Sequence, residues 1–157
     1  MIFLKNCFTA TTKDVDVISI IHDLRYAVRD SGATEGLATV IVPGPGASVT
    51  IIQPLPEVIE ELKEALKVFP GEGKEAMTRR KEPVKVGARI KAAMLGKSLS
   101  IPFSEGKPLL GAREEIVLID FESDAKRREY LIQIISEGAP CGKEHGTPLG
   151  AMGMGDE

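Results

Sequence analysis

Histidine and cysteine, the side chains best suited to moving a proton near neutral pH or holding a transition metal, are few in this 157-residue chain and widely spread. There are two histidines, His22 and His145, and two cysteines, Cys7 and Cys141. His22 sits between Ile21 and Asp23 in a helical pattern and reads as a surface or packed side chain. Cys141 and His145 are close in sequence but offer two ligands, not the closed set of a structural zinc site. No metal or cofactor is expected. The cysteines lack C-x-x-C spacing and read as free thiols in a reducing cytoplasm, the alternative being a disulfide from the tail to the first strand. The other chemical signal is charge. From Lys74 to Lys97 there are eight basic residues (Lys74, Arg79, Arg80, Lys81, Lys85, Arg89, Lys91, Lys97) against Glu75 and Glu82, in a chain of net charge −3. The run reads either as a solvated loop and helix face or as a surface for an anionic partner. Nucleic acid is the less favoured partner, because no aromatic residue lies between Phe69 and Phe103 to stack on a base. Gly44-Pro45-Gly46 marks a tight turn but lacks the G-x-x-x-x-G-K-[ST] pattern of a phosphate loop.

These residues must be placed by a chain of single-domain size, long enough to bury a core without disulfides or metals. With no Trp and few aromatics, that core is aliphatic. No apolar run nears the roughly 20 residues of a membrane span, and Met1-Ile2-Phe3-Leu4-Lys5 reads as a strand rather than a signal peptide. A cytoplasmic protein without membrane contact is expected. Residues 2–11 are rich in strand formers, and 14–17 read as a second short strand. A helix is expected over 18–29, with Ile18, Ile21, Leu24 and Val28 on one face. Residues 36–43 and 47–53 read as strands around Gly44-Pro45-Gly46. Pro56 opens a helix with an apolar stripe of Val58, Ile59, Leu62, Leu66 and Phe69. Residues 71–83 read as a long polar connection, 87–95 as a short helix, and 98–103 with 107–110 as a hairpin about Glu105-Gly106. Two strong strands follow over 114–121 and 128–135, joined by a short turn. Short turns between strands imply antiparallel pairing. The expectation is one α+β domain over residues 1–138, a sandwich of mainly antiparallel sheets with two or three helices, and a flexible tail over 139–157.

Two stretches carry a family resemblance. One is Ala47-Ser48-Val49-Thr50-Ile51. The other is Ile90-Lys91-Ala92-Ala93-Met94-Leu95-Gly96-Lys97-Ser98-Leu99, followed by Pro102, Gly106 and Leu110-Gly111 and closed by Arg127-Arg128. In these the chain resembles the secondary thiamine-phosphate synthase family, small proteins formerly uncharacterised, over all but the tail. The resemblance implies an α+β sandwich assembled as a homotrimer.

The resemblance also implies where a site should be and how this chain departs from it. The family reads His-Thr-Thr or His-Thr-Ser where this chain has Gly44-Pro45-Gly46. It reads Asn-Glu-Asn-x-Asp where this chain has Ile52-Gln53-Pro54-Leu55-Pro56. A second family histidine is Arg89 here, and a Gly-Thr-Trp-Gln-Gly turn is Gly111-Ala112-Arg113-Glu114-Glu115. Imidazole exchanges a proton near neutral pH, whereas an arginine does not and glycine has no side chain. The implied protein is a divergent member that lacks the synthase activity and acts as a trimeric binding or structural protein. Its implied pocket suits a phosphate or carboxylate, with Arg89 and Arg113 as cations, Ser48 and Thr50 as hydroxyl donors, and N–H groups of the Gly44–Gly46 turn. Against that pocket stands a plainer arrangement, with Arg89 on a solvated helix face and Arg113 paired with Glu114 or Glu115. Two further functions stay open: an enzyme with altered chemistry on a small phosphorylated substrate, and a nucleic-acid-binding trimer using residues 74–97.

Overall fold

Glu115–Asp120 is apolar at four successive positions, Ile116 to Ile119, and all four are buried. A strand with one wet face alternates, so a continuous apolar run needs cover on both sides. The computed structural model, which describes residues 1–12, 15–122, 124 and 126–137, supplies both covers. In chain order the elements are β1 (Ile2–Thr11), β2 (Asp16–Ser19), α1 (Ile21–Ser31), β3 (Gly36–Ile41), β4 (Ala47–Ile52), α2 (Pro56–Leu66), β5 (Glu75–Met77), β6 (Pro83–Lys85), α3 (Val86–Leu95), β7 (Ser98–Ser104), β8 (Lys107–Pro108), β9 (Glu115–Asp120) and β10 (Lys126–Ile135). They make a five-stranded sheet β1-β10-β3-β7-β8, a three-stranded sheet β2-β9-β4 and a two-stranded ribbon β5-β6. Every pairing is antiparallel.

The small sheet lies between two cores. Ile116 and Leu118 enter one with Leu24 and Val28 of α1 and with Val40, Ile101 and Ile132 from the inner face of the large sheet. Val117 and Ile119, with Phe121, enter the other beneath Leu66, Ala88 and Ala92. The layers are therefore large sheet, small sheet and the α2–α3 pair, with α1 packed into the first core. This is the expected α+β arrangement, with three helices.

Two expected pairings are corrected. β3 and β4 do not form a hairpin through Gly44-Pro45-Gly46: β3 pairs with β10 and β7, and β4 pairs with β9. The turn carries the chain from one sheet to the other. β9 and β10 are likewise in different sheets despite their short connection. Ile18 belongs to β2, paired with Leu118, so α1 begins only at Ile21. The expected polar connection over 71–83 contains β5 and leads into β6. Val58 is exposed rather than part of the buried stripe of α2. The expected tail, with Cys141 and His145, lies outside the described residues.

The outer face of the large sheet is uncovered in the single chain. Side chains alternate along a strand, and the register aligns Ile2, Ile135 and Leu37 across three strands. Leu4, Phe8 and Ile41 share that face, and all six are exposed, from Ile2 at 69% to Leu37 at 39%.

Candidate functional site

Alternation along β10 turns Tyr130, Ile132 and Ile134 inward, and it turns Arg128 inward with them. A buried guanidinium requires a charged partner. Asp120, at the end of β9, supplies it: Nε and Nη2 of Arg128 donate to its two carboxylate oxygens at 3.2 and 2.9 Å. The Asp120 side chain is 0% exposed and that of Arg128 8%. The remaining Arg128 nitrogen, Nη1, donates to the Pro45 carbonyl at 3.1 Å, and the Glu122 N–H donates to Asp120 at 2.9 Å. Glu122 in turn accepts from Arg89 Nη1 at 3.2 Å, while Arg89 also donates to the Lys85 carbonyl.

The Gly44-Pro45-Gly46 loop lies on this cluster. Gly46 has φ +77°, a backbone that favours glycine, and a Cβ there would come against the Glu122 carboxylate, which would have to shift. Lys97 Nζ donates to the carbonyls of Gly44 and Ala47, and the Phe121 N–H donates to that of Gly46. The loop thus meets its neighbours through carbonyls rather than the N–H groups expected of it. Burial, and then the Arg128 charge, hold the Lys97 ammonium below the usual lysine range. Beside the loop a cavity of about 400 Å³ is lined by Pro45, Lys85, Arg89, Glu122, Lys126 and Arg128.

The other expected residues are elsewhere. Ser48 is fully buried, and its hydroxyl donates to the Ala92 carbonyl of α3 at 3.3 Å. Thr50, half-buried, lies two residues further along the same face. At the far end of β4, Ile52 pairs with Glu115, Gln53 Nε2 donates to the Ala112 carbonyl at 2.9 Å, and Pro54 leads to Pro56 at the start of α2. Arg113 is in this second group, exposed, with φ +63° and no ion pair among the described residues. It lines a smaller cavity of about 160 Å³ with Arg25, Glu114 and Glu115. The five steps along β9 from Glu115 to Asp120 separate the ends by about 17 Å at ~3.3 Å per residue. Arg89 and the Gly44–Gly46 loop therefore come together, while Arg113 and Gln53 form a separate group within one chain.

Sequence reasoning missed Asp120, Glu122 and Lys126, and noted Arg128 only as part of a matching pair. The available signal was parity: Arg128 has the spacing of Tyr130, Ile132 and Ile134, so it had to face inward. The basic run is also less uniform than its sequence suggests. Lys91 is buried, Arg89 is paired and Lys97 is bonded to carbonyls, whereas Lys74, Arg79, Arg80, Lys81 and Lys85 are exposed. His22 is exposed on α1. Cys7 is a buried free thiol, pushed up by burial and then by Asp23. No group of three or more metal-ligating side chains occurs among the described residues, and no helix among them is long and apolar enough to cross a membrane.

The family model described as UPF0047 protein YjbQ-like matches residues 5–137. The chain is 30% identical over 132 residues to UPF0047 protein Rv2556c of Mycobacterium tuberculosis, covering 78% of this chain and 98% of that one. It is 27% identical over 129 residues to UPF0047 protein MJ1081 of Methanocaldococcus jannaschii, covering 81% and 90%. Among solved structures, a conserved YjbQ/UPF0047 family protein from Clostridium acetobutylicum superposes with a TM-score of 0.73 at 28% identity, over 83% of this chain and 99% of that one. These matches correct the resemblance read from the sequence. The family model, these two relatives and this structure bear the YjbQ or UPF0047 name, and none bears that of a thiamine-phosphate synthase, so the inference of a lost synthase activity falls with it. From the family match over 5–137 and the agreement in fold, the chain belongs to the YjbQ/UPF0047 family.

Proposed function

We propose that this YjbQ/UPF0047 protein is a non-catalytic homotrimer that holds a small phosphate or carboxylate compound at the C-terminal end of β9. The observation that carries the reading is the cavity of about 400 Å³ beside Gly44-Pro45-Gly46, with Lys85, Arg89, Lys126 and Arg128 in its wall. A guanidinium has five donors, and Arg89 commits only Nη1 to Glu122 and the Lys85 carbonyl. Arg128 is held rigid by Asp120 and Pro45, so its charge is fixed in place. The wall also carries the acidic residues Glu75, Glu122 and Asp124, of which Glu122 is already paired with Arg89. Among the described residues neither histidine nor cysteine lines it, so the side chains whose ordinary values lie nearest neutral pH are absent from its wall.

Self-association is supported by the uncovered apolar face of the large sheet, where Ile2, Leu4, Leu37 and Ile135 stand exposed side by side. The trimer predicts the mass of three chains by light scattering, and a single-chain mass contradicts it. For the anion, calorimetric titration with inorganic pyrophosphate at low ionic strength is expected to show saturable binding that weakens as salt is added. Arg89→Ala is expected to abolish or strongly weaken it. Heat no different from dilution in the unmodified protein overturns the reading.

A further inference from the structure

Three charged residues are buried among those described: Asp120, Arg128 and Lys91. The first two satisfy each other. Lys91 is different. It lies on the inner face of α3 with Ala88, Ala92 and Leu95, at helical spacing, and its side chain is only 6% exposed. Its partner is Glu72, whose carboxylate accepts from Lys91 Nζ at 2.6 Å while the Glu72 side chain is 52% exposed. A buried ammonium is thus neutralised by a carboxylate reaching in from the surface.

Glu72 is flanked by Gly71 at φ +86° and Gly73 at φ +79°, two left-handed positions that favour glycine. The loop rests directly on α3 at Gly87, where an added Cβ would come within 3.2 Å of the Glu72 Cα and the Gly71 carbonyl. The Lys91–Glu72 pair also stands between two cavities. One, about 450 Å³, is lined by Lys74, Lys85 and Lys91 together with Glu72 and Glu75. The other, about 770 Å³, lies along α2 and shares Lys91 and Glu72. Glu122 also borders the first cavity but is already engaged by Arg89. With Glu72 withdrawn, Lys74, Lys85 and Lys91 would face Glu75 in the first cavity, while Glu60 and Glu61 of α2 border the second.

We infer that Glu72 occupies a carboxylate-binding site as a tethered stand-in, and that a small dicarboxylate displaces it, placing one carboxylate on Lys91 and the other toward Lys74 and Lys85. This goes beyond the anion site at Arg89: that cavity and the one of about 450 Å³ share Lys85, Glu75 and Glu122, but of these two Lys91 borders only the second, so its labelling reports on this site alone. A tethered competitor lowers apparent affinity by the fraction of time that the site is open.

Succinate is the probe, titrated calorimetrically into the full chain and into Glu72→Ala, with Glu105→Gln in the exposed turn between β7 and β8 controlling for loss of a negative charge. Lys91 is followed in the same samples by acetic anhydride labelling and mass spectrometry. Glu72→Ala is expected to bind succinate about tenfold more tightly than the unmodified protein, as for a site closed roughly nine-tenths of the time. Lys91 labelling is expected to rise in Glu72→Ala and to fall when succinate is added. Equal affinity in Glu72→Ala and Glu105→Gln overturns the inference, as does Lys91 labelling that succinate leaves unprotected. Because both readouts keep Lys91 in place, neither depends on a variant that lacks the buried lysine.

Discussion

At its C-terminal end β9 delivers Asp120 into a closed set of partners: Arg128 by two bonds, the Glu122 N–H by a third, and the Gly44–Gly46 loop laid across them. At its N-terminal end it delivers the half-buried Glu115 to the Ser19 hydroxyl as its hydrogen-bond donor, with the exposed Arg113 and the half-buried Glu114 nearby. Both ends are charged and both border a cavity. The difference is burial. Where the charge is removed from water, every group must be matched and the geometry is fixed; where it is not, water does the matching and the side chains are interchangeable. A binding site that needs fixed charges belongs at the first end.

The largest test of this contrast is Asp120→Ala. Leaving Arg128 buried without its carboxylate is expected to cost about 3–5 kcal/mol, read by urea denaturation. Glu115→Ala is expected to cost under about 1 kcal/mol, so equal losses at the two ends would break the comparison. Next is Gly46→Ala, which places a Cβ against Glu122 in a left-handed backbone and is expected to cost about 1–3 kcal/mol.

A smaller effect is the pH dependence from Lys97. Its folded pKa is lowered, by burial and then by Arg128, so below the ordinary lysine value the unfolded chain binds more protons. Stability therefore rises with pH between the lowered folded value and about 10.4, and is lost as pH falls through that window. Lys97→Met is expected to flatten this slope in denaturation series at successive pH values; an unchanged slope would place the titration elsewhere. The smallest expected effect is Arg113→Ala, within about 0.5 kcal/mol of the unmodified protein, and a larger loss would show that the open end is as constrained as the closed one.

Much of the contrast depends on information that local sequence does not hold. The helix opening at Pro56, the long first strand and the hairpin about Glu105-Gly106 were legible because each has a local cause. The pairings of β3, β4, β9 and β10 were not. A short turn can fold a chain back or pass it to another layer, and here the Val42 N–H bonds to the Lys97 carbonyl as the chain leaves the large sheet. β5 and β6 were invisible because their residues are mostly exposed and impose no alternation. At the site, Gly44-Pro45-Gly46 and Arg89 were legible as neighbours. Arg113 was grouped with them but lies at the other end of β9. Asp120 and Arg128 become a pair only once two strands of different sheets meet. The family assignment, too, came from whole-chain comparison rather than from the substituted positions.

The comparison of the two ends is tested most directly by amide chemical-shift mapping of the protein during titration with inorganic pyrophosphate. Saturable shifts are expected at Gly46, Glu122, Lys126 and Arg128, with Gln53, Ala112 and Glu114 unmoved. Shifts centred on the second group, or none at either end, would contradict an anion site built on Arg89, Lys126 and the Arg128 held by Asp120.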